Sequence, residues 1–258
     1  MFARTARPAL ALILAFSCLP ALADVTIRSK IAMSGMMSMQ GESTTYIKGH
    51  KMRIESTIGG KTSVMLMDID ARQTIIIDGK KAEAFDLSKM MKEQALIDGT
   101  SVSLDVQSTG KKREIAGQSC DEHQVTIVVK AQAAQDNPMG NMDIKMSGPG
   151  CMVKGAPGTD EFLAFYTHAA SVGYFFGDPR AAQAQPGRER AMTLAYKKMA
   201  EAGFPYYSSF KLSFEGGPMA AMMEKMAMNM ESTVPSVSTE TLADDLFTVP
   251  AGTKVKNK

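Results

Sequence analysis

Apolar and polar residues alternate along the first half of the chain, and this period of two indicates β-strands. In residues 25–40, VTIRSKIAMSGMMSMQ, most apolar side chains occupy odd positions. These positions are Val25, Ile27, Ile31, Met33, Met37 and Met39. The segment therefore predicts one half-buried strand that continues to Met39 and bends or bulges at Gly35.

Similar short patterns, separated by turn residues, continue as far as residue 87. They predict strands at 44–48, 51–58, 63–69, 73–78 and 82–87. The turn signals between them are Gly59-Gly60, Asp70-Ala71-Arg72 and Asp78-Gly79. Short strands joined by tight turns at near-regular spacing predict an antiparallel sheet or barrel.

The second half of the chain mixes strands with helices. Helices are predicted after the candidate N-caps Ser88 and Thr159, and over 187–203 before Gly203. Strands are predicted at 101–107, in a hairpin around Gly117, in two short pieces that turn at 148–150, and at 206–216 and 232–242. The predicted class is α+β, mainly antiparallel β, in one domain.

Methionine is concentrated near both ends of this pattern, and the chain has 22 methionines and no tryptophan. Residues 217–230 read GPMAAMMEKMAMNM and predict an amphipathic helix. Its apolar stripe would contain Met219, Met222, Met223, Met226 and Met230. Three uses of these side chains stay open: core or cavity lining, an exposed face for a partner or lipid, and thioether ligation of Cu(I).

The first residues have the features of a secretory signal peptide. Arg4 and Arg7 precede a short apolar run, and Ala21-Leu22-Ala23 is a small-residue cleavage site. We expect cleavage after Ala23 and a periplasmic location. Removing two of the 29 basic residues leaves 27, which equals the 27 acidic residues. A neutral chain gives no electrostatic reason to expect nucleic acid, and no later segment is apolar for long enough to span a membrane.

Cleavage would also remove Cys18 and leave Cys120 and Cys151. An even number of cysteines in an oxidising compartment favours a disulfide between them. The alternative, a redox or metal pair, lacks a C-x-x-C motif. One histidine near Cys120, His123, does not complete a zinc site.

Motifs for catalysis are absent from the sequence. We find no G-x-S-x-G, H-E-x-x-H, phosphate-binding loop or haem-attachment pattern. His50, His123 and His168 lie on separate predicted elements. Asp68 and Asp70 could hold an ion, but turn chemistry explains them more simply. We therefore expect a non-enzymatic protein with no cofactor and no assigned metal site.

Several segments together resemble a bacterial domain-of-unknown-function family, family 4412. They are YIKGHKMRIES, VMLMDIDARQTIIIDGKKAEAFDL, REIAGQSCDEHQV and VSTETLADDLFTVPAGTKVK. The chain departs from that pattern at Thr253. The resemblance implies a fold similar to the LolA/LolB lipoprotein carriers, with a strongly curved, incompletely closed barrel and helices across its concave face. The domain would span residues 24–252, after a signal peptide at 1–23 and before a tail at 253–258.

The leading functional hypothesis is a periplasmic carrier that binds a lipid, acyl chain, lipopeptide or lipoprotein on a methionine-rich concave face. The proposed lining is Met33, Met37, Met219, Met222, Met223, Met226 and Met230. One alternative is a Cu(I)-binding envelope protein. The other is a structural or interaction module of the envelope with no small ligand.

Overall fold

The fold is described here from a computed structural model of the chain. The structure describes residues 23–35, 38–95, 101–131, 142–174, 176–182, 186–216, 220–224 and 227–258. The predicted signal peptide lies outside these residues except for Ala23. So do the positions of Met37, Met219 and Met226.

The first six strands form a meander in which each strand pairs with the next. Their bounds are β1 Val25–Ser34, β2 Met39–Lys48, β3 Lys51–Ile58, β4 Lys61–Asp68, β5 Gln73–Asp78 and β6 Lys81–Asp86. Each pair is antiparallel, and tight turns connect β2 through β6 in succession. The alternation and the turn signals of the sequence predict β3 to β6 closely.

The remainder of the chain adds longer strands and the helices. The strands are β7 Ser101–Ile115, β8 Gln118–Ala131, β9 Met142–Val153, β10 Phe204–Glu215, β11 Met228–Ser238 and β12 Lys254–Asn257. The helices are α1 Ser88–Ala95, α2 Thr159–Val172, α3 Pro179–Ala182, α4 Pro186–Ala202 and α5 Ala220–Glu224, with a 3-10 turn at Asp244–Phe247.

All strands of the described residues belong to one twelve-stranded sheet. The strand order is β12-β6-β5-β4-β3-β2-β1-β11-β10-β9-β8-β7. Every pairing is antiparallel except that of β12 with β6. The order is linear, so the sheet is not closed, and β12 and β7 are its edges. The mainly antiparallel β class is therefore confirmed.

The contacts between elements are consistent with a curved, open, barrel-like sheet. β7 contacts β11, although β8, β9 and β10 lie between them in the strand order. Helix α4 packs on β7, β8 and β10, on the side of the sheet order that ends at β7. It also contacts α1, which directly follows β6, a strand near the opposite edge. Helices α2 and α3 pack against α4 as well. We call the sheet face that carries Val25 and Ile27 the inner face.

A dense core fills one end of the inner face, which we call the closed end. Val25, Ile47, Phe165, Tyr174 and Phe204 are each at most 1% exposed there, and they belong to one cluster of contacting side chains. Aromatic rings also join helix α2 to the sheet, because the ring centres of Phe162 on α2 and Phe204 on β10 are 5.1 Å apart. Burial on this scale makes the closed end a major source of stability. A second buried cluster, which includes Val125, Ile127 and Val129 on β8, lies under α4.

The predicted disulfide is confirmed, because Cys120 on β8 and Cys151 on β9 are bonded. The Cα atoms are 5.8 Å apart, within the range that a disulfide requires. Cys151 pairs directly with Glu122 on β8. Cys120 is two residues before Glu122 on the same strand, so the two cysteines are diagonal neighbours. Both cysteines are buried at the closed end.

Two predictions about turns are wrong, and glycine explains both. The predicted strand 25–39 is two strands, since the chain reverses after Gly35, which adopts φ 150°. The predicted turn at 148–150 is instead the middle of the single strand β9. A side chain at Gly148 would come within 1.8 Å of the Ser209 carbonyl oxygen. Glycine there allows β10 to approach closely.

One prediction near the carboxyl end is also wrong. The predicted helix 219–230 is replaced by the short helix α5 and by the start of β11 at Met228. The spacing of two between Met226, Met228 and Met230 in the sequence also fits a strand. The pairing of β11 with β1 and β10 favours the strand over the helix from Met228 onward. The predicted tail at 253–258 contains β12, which adds a parallel strand to β6.

Candidate functional site

The opposite end of the inner face, which we call the methionine end, carries a line of directly paired apolar side chains. Met39 on β2 faces Met33 on β1. Met33 also faces Met230 on β11, and Met230 faces Phe210 on β10. Residues that face each other directly in antiparallel strands have Cβ atoms about 4.5–5.5 Å apart. We call these four residues the methionine row.

Strand parity places the methionine row on the inner face. Met33 is separated from Val25 and Ile27 by even steps along β1, so its side chain points to the same side of the sheet. Direct pairing carries this orientation to Met39 and Met230. The row therefore continues the surface that the closed end buries.

A second line of apolar residues lies beside the methionine row. It passes across five neighbouring strands through residues that pair directly: Leu104, Ile127, Met146, Leu212 and Met228. Ile127 is 1% exposed, whereas the other four side chains are only partly buried. Helix α4 packs against this part of the sheet through Met192 and Met199.

Exposure distinguishes the methionine end from the closed end. Met230 keeps 42% of its surface exposed, and Met33 and Met39 are partly exposed. An apolar side chain that remains this exposed on a continuous apolar face is a candidate contact for an apolar ligand or partner. Methionine suits that task because its side chain is unbranched and adapts to irregular shapes.

The outer face at the same strands is polar. An open groove of about 660 Å³ follows β1, β2 and β11 there, and its lining includes Lys30, Gln40, Glu42, Glu231 and Thr233. These residues alternate with those of the methionine row along each strand. Ile31 and Ala32 also line the groove, so the outer face at these strands is mainly, but not wholly, polar.

The structure separates the methionines that the sequence groups together. Met33 and Met230 face each other in the row, whereas Met222 lies on α5 and is 50% exposed. Met223 is on α5, but its side chain is outside the described part of the chain. Met37, Met219 and Met226 fall outside the described residues altogether. Of the stripe members with described side chains, Met222 therefore lies on a helix and Met230 on a strand.

Sequence reasoning missed Met39 as a partner of Met33, and it missed Phe210 and Met228. The signal for Met39 was present, since a turn at Gly35 folds the methionines on either side of it against each other. No local pattern indicates that β11 pairs with β1, because the two strands are separated by most of the chain.

A polar cluster lies at the rim of the closed end. His50 Nδ1 is 2.9 Å from Asp70 Oδ2, and His168 Nε2 is 2.8 Å from Asp70 Oδ1. Hydrogen bonds from His50 and then from His168 lower the pKa of Asp70. His50 and Asp70 sit in alternate turns of the meander, which lie at the same end of the sheet. The sequence explains Asp70 by its turn and places the histidines on separate elements, and α2 brings His168 to the other two residues.

A second ion pair lies behind the disulfide. Arg113 on β7 donates to the carboxylate of Glu122, which is only 4% exposed. This hydrogen bond is the main reason that the pKa of Glu122 is lowered. The guanidinium lies 4.4 Å from the ring centre of Tyr207. Full pairing of each charge indicates a structural role, because a buried carboxylate without a partner would destabilise the fold.

Comparison with known proteins adds little to this description. No family model matches the chain, and no curated protein matches it. A solved structure described as an uncharacterized conserved protein from Thermus thermophilus is similar, with a TM-score of 0.40 and 8% sequence identity. The similarity covers 92% of this chain and 91% of that one. Among the described residues, no helix has both the length and the apolar character needed to cross a membrane.

Proposed function

We propose that this protein is an exported, non-enzymatic binding protein that holds an acyl chain or similar apolar ligand against the methionine row. The observation that carries the proposal is the direct pairing of Met39, Met33, Met230 and Phe210 on a face where Met230 stays 42% exposed. An extended hydrocarbon chain lying along this row would remove apolar surface from water on both partners.

The finer fold assignment belongs to the same proposal. The family resemblance implies a strongly curved, LolA-like barrel with helices across the concave face. The contact of β7 with β11 and the packing of α4 on both α1 and β7 support it. In such a fold the methionine end would be the mouth of the concavity, a favoured position for a ligand.

The features of an exported protein support a periplasmic location. The leader at 1–23 has the character of a signal peptide, and a disulfide joins Cys120 and Cys151, as is common in oxidising compartments. Asp24, the expected first residue of the mature chain, accepts a hydrogen bond from the Leu242 backbone and pairs with Lys48. Intact-mass measurement of the periplasmic protein should give a chain that begins at Asp24.

Binding of a fluorescent palmitic acid tests the proposal. The wild-type protein should bind the probe, and Met230→Glu should weaken binding by at least about tenfold because a carboxylate would face the hydrocarbon. Val255→Glu is the matched control, since Val255 on β12 is 49% exposed and lies far along the strand order from the row. No binding by the wild type, or equal binding by the two variants, would contradict the proposal.

A Cu(I)-binding function is the second candidate, and one observation favours it. Met39, Met33 and Met230 place three thioethers on adjacent strands of one face, and Cu(I) prefers such soft ligands. Met33→Leu distinguishes the two candidates, because leucine keeps the apolar surface and removes the central sulfur. Loss of Cu(I) binding with normal palmitate binding would show that each function is separable. If the wild-type protein binds neither palmitate nor Cu(I), the remaining hypothesis is a structural module of the envelope.

A further inference from the structure

The His50–Asp70–His168 cluster joins three parts of the fold. His50 lies in the turn between β2 and β3, Asp70 in the turn between β4 and β5, and His168 on α2. The backbone N–H of Ile69 donates to the His50 carbonyl at 3.1 Å, so the two turns are held together independently of the side chains. The cluster is therefore built on positions that the sheet and the helix fix.

The three side chains are close and accessible. Their exposed fractions are 44% for His50, 63% for Asp70 and 29% for His168. The ligand atoms they offer all lie within 4.8 Å of one another. His50 and Asp70 line a small depression of about 210 Å³, together with Lys48, Lys51, Asp244 and Phe247.

Charge at the cluster favours a bound cation. Nitrogen and oxygen lone pairs 2.8–2.9 Å apart repel unless a proton or another cation lies between them. The neighbouring lysines already have other carboxylates, since Lys48 pairs with Asp244 at 2.7 Å and Lys51 with Asp68 at 3.6 Å. The Asp70 carboxylate therefore interacts with the two imidazoles and can bind a cation together with them.

We propose that His50, Asp70 and His168 bind one divalent transition-metal ion of the Zn²⁺ class. Two imidazole nitrogens and one carboxylate are a donor set that such ions accept, with water in the remaining positions. The nitrogen of each ring that faces Asp70 would bind the ion through its lone pair, and the single proton of each neutral ring would then lie on the other nitrogen. The proposal is independent of the methionine row.

Binding requires a local rearrangement that the surroundings allow. The rings of His50 and His168 are stacked, with centres 3.6 Å apart and planes 10° from parallel. A shared ion needs the lone pair of each ring to point at one position, so the rings must turn about their Cβ–Cγ bonds. This torsion has a broad energy minimum, and the exposure of both rings leaves room for it. The bound ion would then fasten α2 to the two turns.

Titration of the untagged protein with Zn²⁺ near neutral pH tests the site. We expect one ion per chain, and weakening by at least about tenfold in Asp70→Asn and in His168→Gln. Asp121→Asn is the matched control, because it removes an exposed carboxylate on β8, whose partner is Lys112 on β7, away from the two turns and the helix that carry the cluster. Zn²⁺ is the suitable probe since thioethers prefer softer ions, which separates this site from the methionine row.

The imidazole signals in NMR spectra provide a readout that needs no variant. The chain has three histidines, and Zn²⁺ should shift the ring signals of His50 and His168 but leave those of His123 in place. Zn²⁺ should also raise the melting temperature of the wild type and of Asp121→Asn, but not that of His168→Gln. Absence of Zn²⁺ binding, or equal binding by Asp70→Asn, would overturn the proposal.

Discussion

The closed end and the methionine end lie on the same face of one sheet, yet the sequence fills them differently. The closed end packs rigid aromatic rings such as Phe165 and Tyr174, both fully buried. The Tyr174 hydroxyl is 2.7 Å from Thr74 Oγ1, and it donates to the Gln73 carbonyl. The methionine end has flexible side chains that keep part of their surface in water. The comparison suggests that stability is concentrated at one end and adaptable binding at the other.

Truncation of the aromatic core should have the largest effect. Phe165 is 0% exposed and its ring lies 5.4 Å from that of Tyr166. Phe165→Ala should lower the free energy of unfolding by about 3–5 kcal/mol, because the change removes buried surface and leaves a cavity. Denaturant titration followed by circular dichroism measures this. A loss below about 1 kcal/mol would mean that the closed end is not the stable core.

The same substitution at the two ends compares them directly. Met52 at the closed end is 1% exposed, whereas Met230 in the methionine row is 42% exposed. Met52→Ala should lower the free energy of unfolding by about 2–5 kcal/mol, and Met230→Ala by less than about 1 kcal/mol. Similar losses at both positions in denaturant titrations would remove the distinction between the ends.

Removal of the disulfide should weaken the closed end by a smaller amount. The bond between Cys120 and Cys151 spans 31 positions of the sequence. Its loss in the Cys120→Ala, Cys151→Ala double variant should lower the free energy of unfolding by about 2–4 kcal/mol, mainly through the unfolded chain. Palmitate binding at the methionine row should persist under conditions where the variant is folded. Loss of binding by a folded variant would mean that the two ends are coupled.

Acid should affect the rim of the closed end by the smallest amount. Hydrogen bonds from His50 and His168 lower the pKa of Asp70 in the folded state. The stability they add is present above the unfolded pKa of about 4, and it is lost as pH falls through the lower folded value. The melting temperatures of wild type and Asp70→Asn should therefore differ most near neutral pH and converge in acid. A pH-independent difference would argue against this linkage.

The regular part of the fold could be predicted from the sequence, because local alternation and turn residues determine the meander from β2 to β6. The segment 219–230 could not. Its methionine spacing satisfies both a helix and a strand, and only the pairing of β11 with β1 selects the strand from Met228 onward. The same distant pairing creates the methionine row.

The polar cluster shows a similar limit. Turns at residues 49–50 and 69–72 follow alternate strands of the meander, so their position at one end of the sheet follows from the pattern. That reasoning could have placed His50 near Asp70. The position of His168 depends on how α2 crosses the sheet, which no residue of the helix specifies by itself.

The central claim is that an apolar ligand contacts the methionine end and leaves the closed end unchanged. Methyl NMR spectra of the protein labelled at methionine, recorded while unlabelled palmitic acid is added, test it most directly. We predict saturable shifts for the methyl groups of Met33, Met39 and Met230, with those of Met52 and Met67 unchanged. Shifts confined to the two core methionines, or none at saturating ligand, would contradict the account.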